Sequence, residues 1–375
     1  MPNQVFNSHA LFFDHVYHKT SGNFSSERDP GVTYLDNGDV EFTYYAPEAH
    51  TVEVAGMPGT SFGEEKRPMH KGEDGNWHCV VSGAPKRFHY VIFYVDGIAV
   101  TNPNLAHGIG YGRVVNYIDI PDPELDFYHI KDVPHGNIRT EFYKSSVTGR
   151  VRDCLVYTPP TYDNSEKDYP VLYIQHGSGE NETGWFWQGK LNFIMDNLLA
   201  EGKAEEMIIV CNLGYAYKDR QDETYRIEDM NDLFMKDIIP FIESKFRVRP
   251  GSENRALAGL SMGSYQALMI AMNNLGFFPW IGVFSGGLTP RKYNDARPSD
   301  HYEKLNDIEA MQKNVKLLYC THGTEEDAHF LTVDEKVKEL REKGLGQVQL
   351  FTCPGRHEWQ VWRRSAYNFL QMIFR

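Results

Sequence analysis

The chain has 375 residues, 41% hydrophobic and 24% charged, with 38 Lys and Arg against 51 Asp and Glu and a formal charge of −13. That length exceeds one ordinary domain, and the composition supports a sizeable apolar core. The acidic balance argues against nucleic acid or an anionic membrane surface as the main partner.

Five cysteines, Cys79, Cys154, Cys211, Cys320 and Cys353, are odd in number and widely spaced, with no CxxC pair. Four sit in or beside apolar runs, as buried free thiols do. The pattern predicts neither a disulfide framework nor a zinc site, and fits a reduced compartment. The N-terminal stretch MPNQVFNSHALFFDHVYHKT lacks a basic segment followed by an unbroken apolar core, so it does not read as a signal peptide. No run approaches the ~20 apolar residues that span a bilayer. A cytoplasmic protein is expected, or a secreted one if a signal peptide preceded this chain. Asn23-Phe24-Ser25 and Asn181-Glu182-Thr183 match the glycosylation pattern, which chance supplies often.

The first 120 or so residues read as all-β. Val40–Tyr44, Thr51–Val54, Trp77–Val81 and Phe88–Val95 are strand candidates, several with period-2 alternation. Asp36-Asn37-Gly38, Gly56 to Gly59, Asp74-Gly75-Asn76 and Asp96-Gly97 supply the turns. Short strands at this spacing predict a β-sandwich. Trp77 is a candidate sugar platform, though a core position is the better expectation for a sandwich tryptophan. Gly108-Ile109-Gly110-Tyr111-Gly112 lacks the strand-to-helix setting of a phosphate loop and reads as loop. Ile120-Pro121-Asp122-Pro123-Glu124 and Pro134-His135-Gly136 break the pattern. The boundary is placed near residue 125, giving a module over 1–125 and a second domain over 126–375.

From Val151 strands and helices alternate. Strand candidates are Val151–Tyr157, Pro170–Gln175, Met207–Asn212, Arg255–Gly259, Ile281–Phe284, Lys316–Thr321 and Gln347–Thr352. Several are continuous apolar runs, as in a sheet covered on both faces. Gly189–Glu201, Ile227–Phe246, Ser264–Leu275, Thr332–Lys343 and Val361–Phe374 carry apolar residues three and four apart. The alternation predicts a mainly parallel sheet with helices on both faces.

Gly259-Leu260-Ser261-Met262-Gly263 falls between a strand and a helix. A nucleophile elbow turns so tightly that side chains at the flanking positions would clash, and glycine removes both. Ser261 is the candidate nucleophile. A serine hydroxyl needs a base. Among 15 histidines, His357 follows the last strand on the side where the elbow should open; His322 and His329 are runners-up. The base needs a carboxylate to fix its tautomer. Glu325, Glu326 and Asp327 lie after strand Lys316–Thr321, and spacing alone leaves Asp327 and Glu326 open. An oxyanion hole needs two backbone donors. Met262 N–H is one candidate, and His176-Gly177-Ser178-Gly179 supplies the other from Gly177, Ser178 or Gly179. No metal-ligand spacing is present.

These residues resemble carbohydrate esterase family 1, the feruloyl esterases, with enterochelin esterases and esterase D as wider relatives. The likeness runs from about Asn137 to Arg375. It is carried by Tyr173–Gly179, Asn192–Gly202, Asp237–Glu243, Asn254–Gly263 and His357–Arg363. Val40–Ala49 and Phe93–Gly97 resemble, more weakly, the Ig-like early-set module similar to carbohydrate-binding module family 48.

The resemblance implies an α/β-hydrolase preceded by a small all-β Ig-like sandwich. Its Ser-His-acid triad falls on Ser261, His357 and the Gly323–Asp327 loop. Relatives usually carry Asp three residues after the glycine, a place held here by Glu326; the length of the following helix favours Asp327, which is the expected acid, with Glu326 as alternative. The family often has glycine where this chain has Ser178 and Ser264. Trp185, Tyr215 and Trp359 are candidates to hold a hydroxycinnamoyl ring.

The implied activity is hydrolysis of feruloyl or related esters of plant-derived saccharides, with no metal or cofactor called for. The partner is a small-molecule or oligosaccharide ester. Alternatives are a catecholate siderophore esterase, an acetyl-xylan esterase, or a glycan-binding protein on a degenerate esterase scaffold. The β-module either binds sugar, packs against the cleft or makes a homodimer.

Overall fold

A computed structural model describes residues 31–217, 227–289 and 300–375, without the side chains of 227, 228, 300 and 328–331. The Asn23 glycosylation match and the N-terminal segment lie outside these residues, as does the side chain of His329.

The N-terminal module is a sandwich of two sheets. One orders β1 (Val32–Tyr34), β2 (Val40–Tyr45), β6 (Asn76–Val81) and β5 (His70–Lys71). The other orders β4 (Arg67–Pro68), β3 (Val52–Gly56), β7 (Arg87–Val95), β10 (Arg113–Ile120) and β9 (His107–Gly110), with β8 (Ile98–Val100) paired onto β7. Alternate residues such as Val40, Phe42, Val54, Val91 and Phe93 fill the space between the sheets, as a period-2 pattern dictates. Trp77 belongs to this core; it is 7% exposed and its indole N–H donates to the Ala46 carbonyl at 2.9 Å. It offers no platform to a sugar. Gly108 to Gly112, expected as loop, instead form most of β9 and its turn into β10.

β7 is apolar on both faces, and the second face explains how the module sits. Phe88, Tyr90 and Ile92 point away from the sandwich core, into a cluster shared with Tyr157, Phe186, Trp359 and Phe369 of the second domain. The module therefore packs on the esterase through a common apolar core.

The second domain is built on an eight-stranded sheet ordered β11 (Asn137–Lys144), β12 (Val151–Thr158), β14 (Ile208–Asn212), β13 (Val171–Gln175), β15 (Arg255–Leu260), β16 (Trp280–Phe284), β17 (Leu317–Gly323) and β18 (Val348–Cys353). Strands from β14 onward are parallel, and β11 and β12 pair antiparallel at one edge. β11 had no counterpart among the strand candidates. On β13, Val171 and Tyr173 enter one core and Leu172 and Ile174 the other, so both faces are covered.

The helices are α1 (Gly184–Trp187), α2 (Leu191–Ala200), α3 (Ile227–Leu233), α4 (Ile239–Lys245), α5 (Met262–Asn273), α6 (Asp300–Lys304), α7 (Ile308–Asn314), α8 (Ala328–Glu342) and α9 (Trp359–Leu370). A π-helical turn, Phe234–Ile238, joins α3 to α4. This is an α/β-hydrolase preceded by an all-β Ig-like module. The five cysteines are unpaired, four of them buried. No described helix is long and apolar enough to cross a membrane.

Candidate active site

The nucleophile, base, acid and oxyanion-loop candidates lie just past the carboxyl ends of parallel strands, where open α/β sheets bind ligands. His176–Gly179 follow β13, Tyr215 follows β14, Ser261 follows β15, Glu326 follows β17 and His357 follows β18.

Ser261 has φ 50° and ψ −116°, a conformation that L side chains rarely adopt and that persists only where its surroundings enforce it. The enforcement is steric. A Cβ on Gly259 would stand 2.4 Å from the Gly263 carbonyl carbon, and one on Gly263 would stand 2.5 Å from the His176 oxygen. The Ser261 N–H donates to Phe284 O at 2.9 Å and so ties the turn to the next strand. Ser261 and Met262 stay half-exposed while the rest of α5's first turns are buried.

The Glu326 carboxylate, not that of Asp327, faces the histidine. Its Oε2 lies 3.1 Å from His357 Nδ1, while Oε1 accepts from the Ser285 hydroxyl at 2.6 Å and from the Gly323 N–H at 2.8 Å. Asp327 is exposed at the N-cap of α8. The expectation of Asp327 is thus replaced. The turn after β17 returns the third residue beyond Gly323 toward the site, with the Glu326 N–H donating to Gly323 O at 3.3 Å; one residue later the chain is already entering α8. Opposite a carboxylate, Nδ1 carries the proton and leaves Nε2 as the basic nitrogen. The His357 ring also meets Trp362 edge-on at 5.1 Å. Ser285, with φ 48°, was not foreseen; its only signal was a small residue just past the Ile281–Phe284 strand.

His322 is 2% exposed, with Nε2 2.8 Å from Asp334 and Nδ1 3.0 Å from Gly323 O. Both nitrogens are committed, so it is no rival base. His176 accepts the Gly214 N–H at Nε2 and donates from Nδ1 to Gly177 O, both at 2.8 Å. Burial pushes its pKa down to about 4, so it stays neutral and braces the loop.

The structure sorts the loop's N–H groups. That of Gly177 donates to Glu180 Oε2 at 3.0 Å. That of Gly179 donates to the Tyr215 hydroxyl at 2.6 Å. The N–H groups of Ser178, whose residue is exposed, and of Met262 have no acceptor among the described residues. The Gly177 backbone meets the elbow closely: a Cβ there would lie 3.5 Å from Ser261 Cβ.

Two aromatic assignments fail. Trp185 and Trp359 are 1% and 0% exposed, and their rings pack edge-on at 5.2 Å. The Trp185 N–H donates to Gln175 O. Both are core: Trp185 packs on Phe284 of the sheet, and Trp359 sits between Trp185 and the sandwich's Tyr90. Tyr215 remains; with Tyr217, Leu213 and the Arg150–Asp153 segment it lines a cleft of about 330 Å³. The Tyr215 and Tyr217 rings are parallel, 6.1 Å apart. Arg152 is tied to the Leu213 and Tyr215 carbonyls at 2.6 and 2.8 Å. No His, Cys, Asp and Glu cluster among the described residues is arranged to hold a metal ion.

A family model described as "Putative esterase" matches residues 145–372, and that of carbohydrate-binding module 48 (isoamylase N-terminal domain) matches 30–102. An endo-1,4-beta-xylanase/feruloyl esterase of Xylanibacter ruminicola is 31% identical over 358 residues, 92% of this chain and 46% of that protein. Endo-1,4-beta-xylanase Y of Acetivibrio thermocellus is 26% identical over 72% of this chain and 26% of its own length. The chain therefore spans less than half the length of these two curated relatives.

Among solved structures, a CE1 ferulic acid esterase of Anaeromyces mucronatus is 26% identical with TM-score 0.56, over 67% of this chain and 96% of that one. The enterochelin esterase of Shigella flexneri is 13% identical with TM-score 0.68, over 92% and 95%; it shares the fold of both modules. The matched stretch contains the elbow, the Glu326–His357 pair and the His176–Gly179 loop, and the chain belongs to the esterase family.

Proposed function

We propose that the chain is a serine esterase that hydrolyses feruloyl or related hydroxycinnamoyl esters of plant-derived saccharides. His357 takes the Ser261 proton at Nε2 as the hydroxyl oxygen attacks the ester carbonyl. The Ser178 and Met262 N–H groups receive the oxyanion. The carbonyl re-forms, the alcohol leaves with the proton from His357, and water then attacks the acyl-enzyme by the same route to release the acid. Glu326 holds the His357 tautomer and stabilises the imidazolium. The observation that carries this reading is the Glu326–His357 pair placed at the same sheet edge as a strained serine. Likeness to a feruloyl esterase over 92% of the chain supports the acyl group.

A second reading, hydrolysis of a catecholate siderophore ester, is favoured by one observation: the enterochelin esterase fold extends over both modules. A panel of methyl ferulate, acetylated xylan and a ferric catecholate trilactone separates these. Turnover of methyl ferulate at least ten times faster than of the others is expected. Ser261→Ala should lose all turnover and all labelling by a fluorophosphonate probe; retained activity overturns the assignment, and absent labelling of the wild-type chain favours a binding protein instead.

A further inference from the structure

We propose that the β-sandwich is part of the catalytic positioning machinery: the Tyr90 hydroxyl holds the Glu180 carboxyl, which holds the oxyanion loop at Gly177. This rests on the reading that the Ser178 N–H receives the oxyanion.

Tyr90 lies on the face of β7 turned to the esterase and is 5% exposed. Its hydroxyl donates to Glu180 Oε1 at 3.1 Å and accepts from the Trp359 and Gln188 side-chain N–H groups, each at 3.0 Å. Trp359 also donates to Glu180 Oε1 at 2.9 Å. The other carboxyl oxygen takes the Gly177 N–H at 3.0 Å. One buried carboxyl thus gathers the sandwich, the start of the helix after His357 and the oxyanion loop.

The far side of the loop is held by the same module, since the Gly112 N–H donates to Gly179 O at 2.9 Å. Ser178 lies between these two fixed points. The glycine-rich stretch that reads as a featureless loop acquires a reason: a Cβ on Gly110 would stand 2.9 Å from Tyr90 Cζ. Glycine there lets the tyrosine ring reach its place. Glu358, the residue after the base, is tied down in parallel, accepting from the Ser61 N–H at 3.3 Å and from the Ser61 hydroxyl.

A buried carboxyl at Glu180 makes a purely structural role a poor explanation. The groups that face it are Tyr90, Trp359 and the Gly177 N–H, with Tyr111 nearby; no cation is among them. Burial pushes its pKa up to about 7, a cost that an apolar core would not carry. What the carboxyl provides is an acceptor strong enough to fix a backbone N–H. Donors at an oxyanion site lose effect when misplaced by fractions of an ångström.

The test uses the full chain with Tyr90→Phe and Glu180→Gln. In Tyr90→Phe each neighbour keeps a second partner, Gln188 through Ile109 O at 2.9 Å and Trp359 through Glu180, so the fold should persist. Complete loss of an oxyanion donor costs roughly 100- to 1,000-fold in kcat; a displaced one should cost about 10-fold.

With methyl ferulate, kcat should fall by about that factor in Tyr90→Phe, with KM within two-fold. The inhibition constant of an arylboronic acid, which forms a tetrahedral adduct on Ser261, should rise by the same factor, while that of ferulate stays unchanged. Glu180→Gln, whose amide sets a donor against one of three donors, should lose more. Wild-type kcat and boronate affinity in the folded fraction of either variant overturn the proposal. A dead Ser261→Ala beside silent network variants sinks this inference alone; an active Ser261→Ala sinks the esterase mechanism beneath it.

Discussion

Glu326 Oε2 lies 3.1 Å from Nδ1 of His357, while Asp327, one residue on, faces solvent at the head of α8. Two adjacent acids of nearly equal chemistry are thereby separated by geometry. Glu326→Gln keeps the shape but offers an amide where the imidazole N–H needs an acceptor, and favours the wrong tautomer. A loss of kcat on the order of 1,000- to 10,000-fold is expected. Asp327→Asn should stay within two-fold. Steady-state kinetics of the pair, measured side by side with methyl ferulate, decide it; the reverse order would restore Asp327.

Ser285 connects the acid to the core. Its hydroxyl donates to Glu326 at 2.6 Å and accepts the Trp362 indole N–H at 2.9 Å. Ser285→Ala deprives the carboxylate of one donor and leaves a buried N–H unpaired. A loss of about 1–3 kcal/mol in unfolding free energy follows, together with a fall in kcat of about 10-fold from the loosened acid. Urea titration and kinetics on the same preparation would show whether the two losses occur together.

Asp119 on β10 fastens the sandwich to the esterase by ion pairs, 2.8 Å from Arg363 and 2.9 Å from Lys190, all three nearly fully buried. Burial works to raise the Asp119 pKa, but Arg363 and Lys190 outweigh it and hold the carboxyl well below the usual range. Asp119→Asn strands two buried cations and should cost about 3–5 kcal/mol at pH 7. A depressed folded pKa means this stabilisation is complete above the ordinary carboxylate pKa near ~4 and is lost as pH falls below it. The gap between wild type and Asp119→Asn in urea melts should therefore narrow from pH 7 to pH 3.

Glu180 has the opposite sign. Its folded pKa, about 7, lies above the ordinary glutamate value of 4.5. The folded state binds the extra proton between those values, so stability from this group declines as pH rises from 4.5 through 7. The difference amounts to about 3 kcal/mol across that window. In Glu180→Gln this contribution to the slope is absent. Unfolding free energies at pH 5 and pH 8 should show a smaller decline in the variant than in wild type; parallel profiles would contradict it.

The elbow could be read in advance because its pattern fits in a five-residue window and the Gly259 clash, with Gly263, is local; the Gly263 clash, with His176, comes from across the sheet. The parallel strands were equally legible, being continuous apolar runs, and the observed strands fall within a residue or two of the expected ones. The edge strand β11 was not: exposed on one side, with Ile138 41% and Phe142 63% accessible, it mixes polar and apolar residues without a clear pattern. The acid was misassigned because helix length was weighed above backbone spacing, whereas the turn after Gly323 fixes which residue returns to the site.

Trp185 and Trp359 looked like cleft residues because a sequence shows which residues are aromatic but not which way a helix faces. The union of the two domains had left one trace. Phe88 to Val95 is apolar nearly throughout, where a half-exposed sandwich strand would alternate; a strand of that kind has neighbours on both sides.

The shared core carries a warning for experiments that dissect the chain at residue 125. A truncation that keeps only the second domain would remove Tyr90 from Trp359, strip the Tyr90 hydroxyl from Glu180 and leave Arg363 and Lys190 without the Asp119 counter-ion. A fragment so prepared would lose activity even on a small soluble ester. Poor hydrolysis of polymeric substrate by such a fragment would report a damaged catalyst, and would say nothing about whether the missing half recognises sugar. Point substitutions on the sandwich's solvent face, which leave that seam intact, are the informative way to ask.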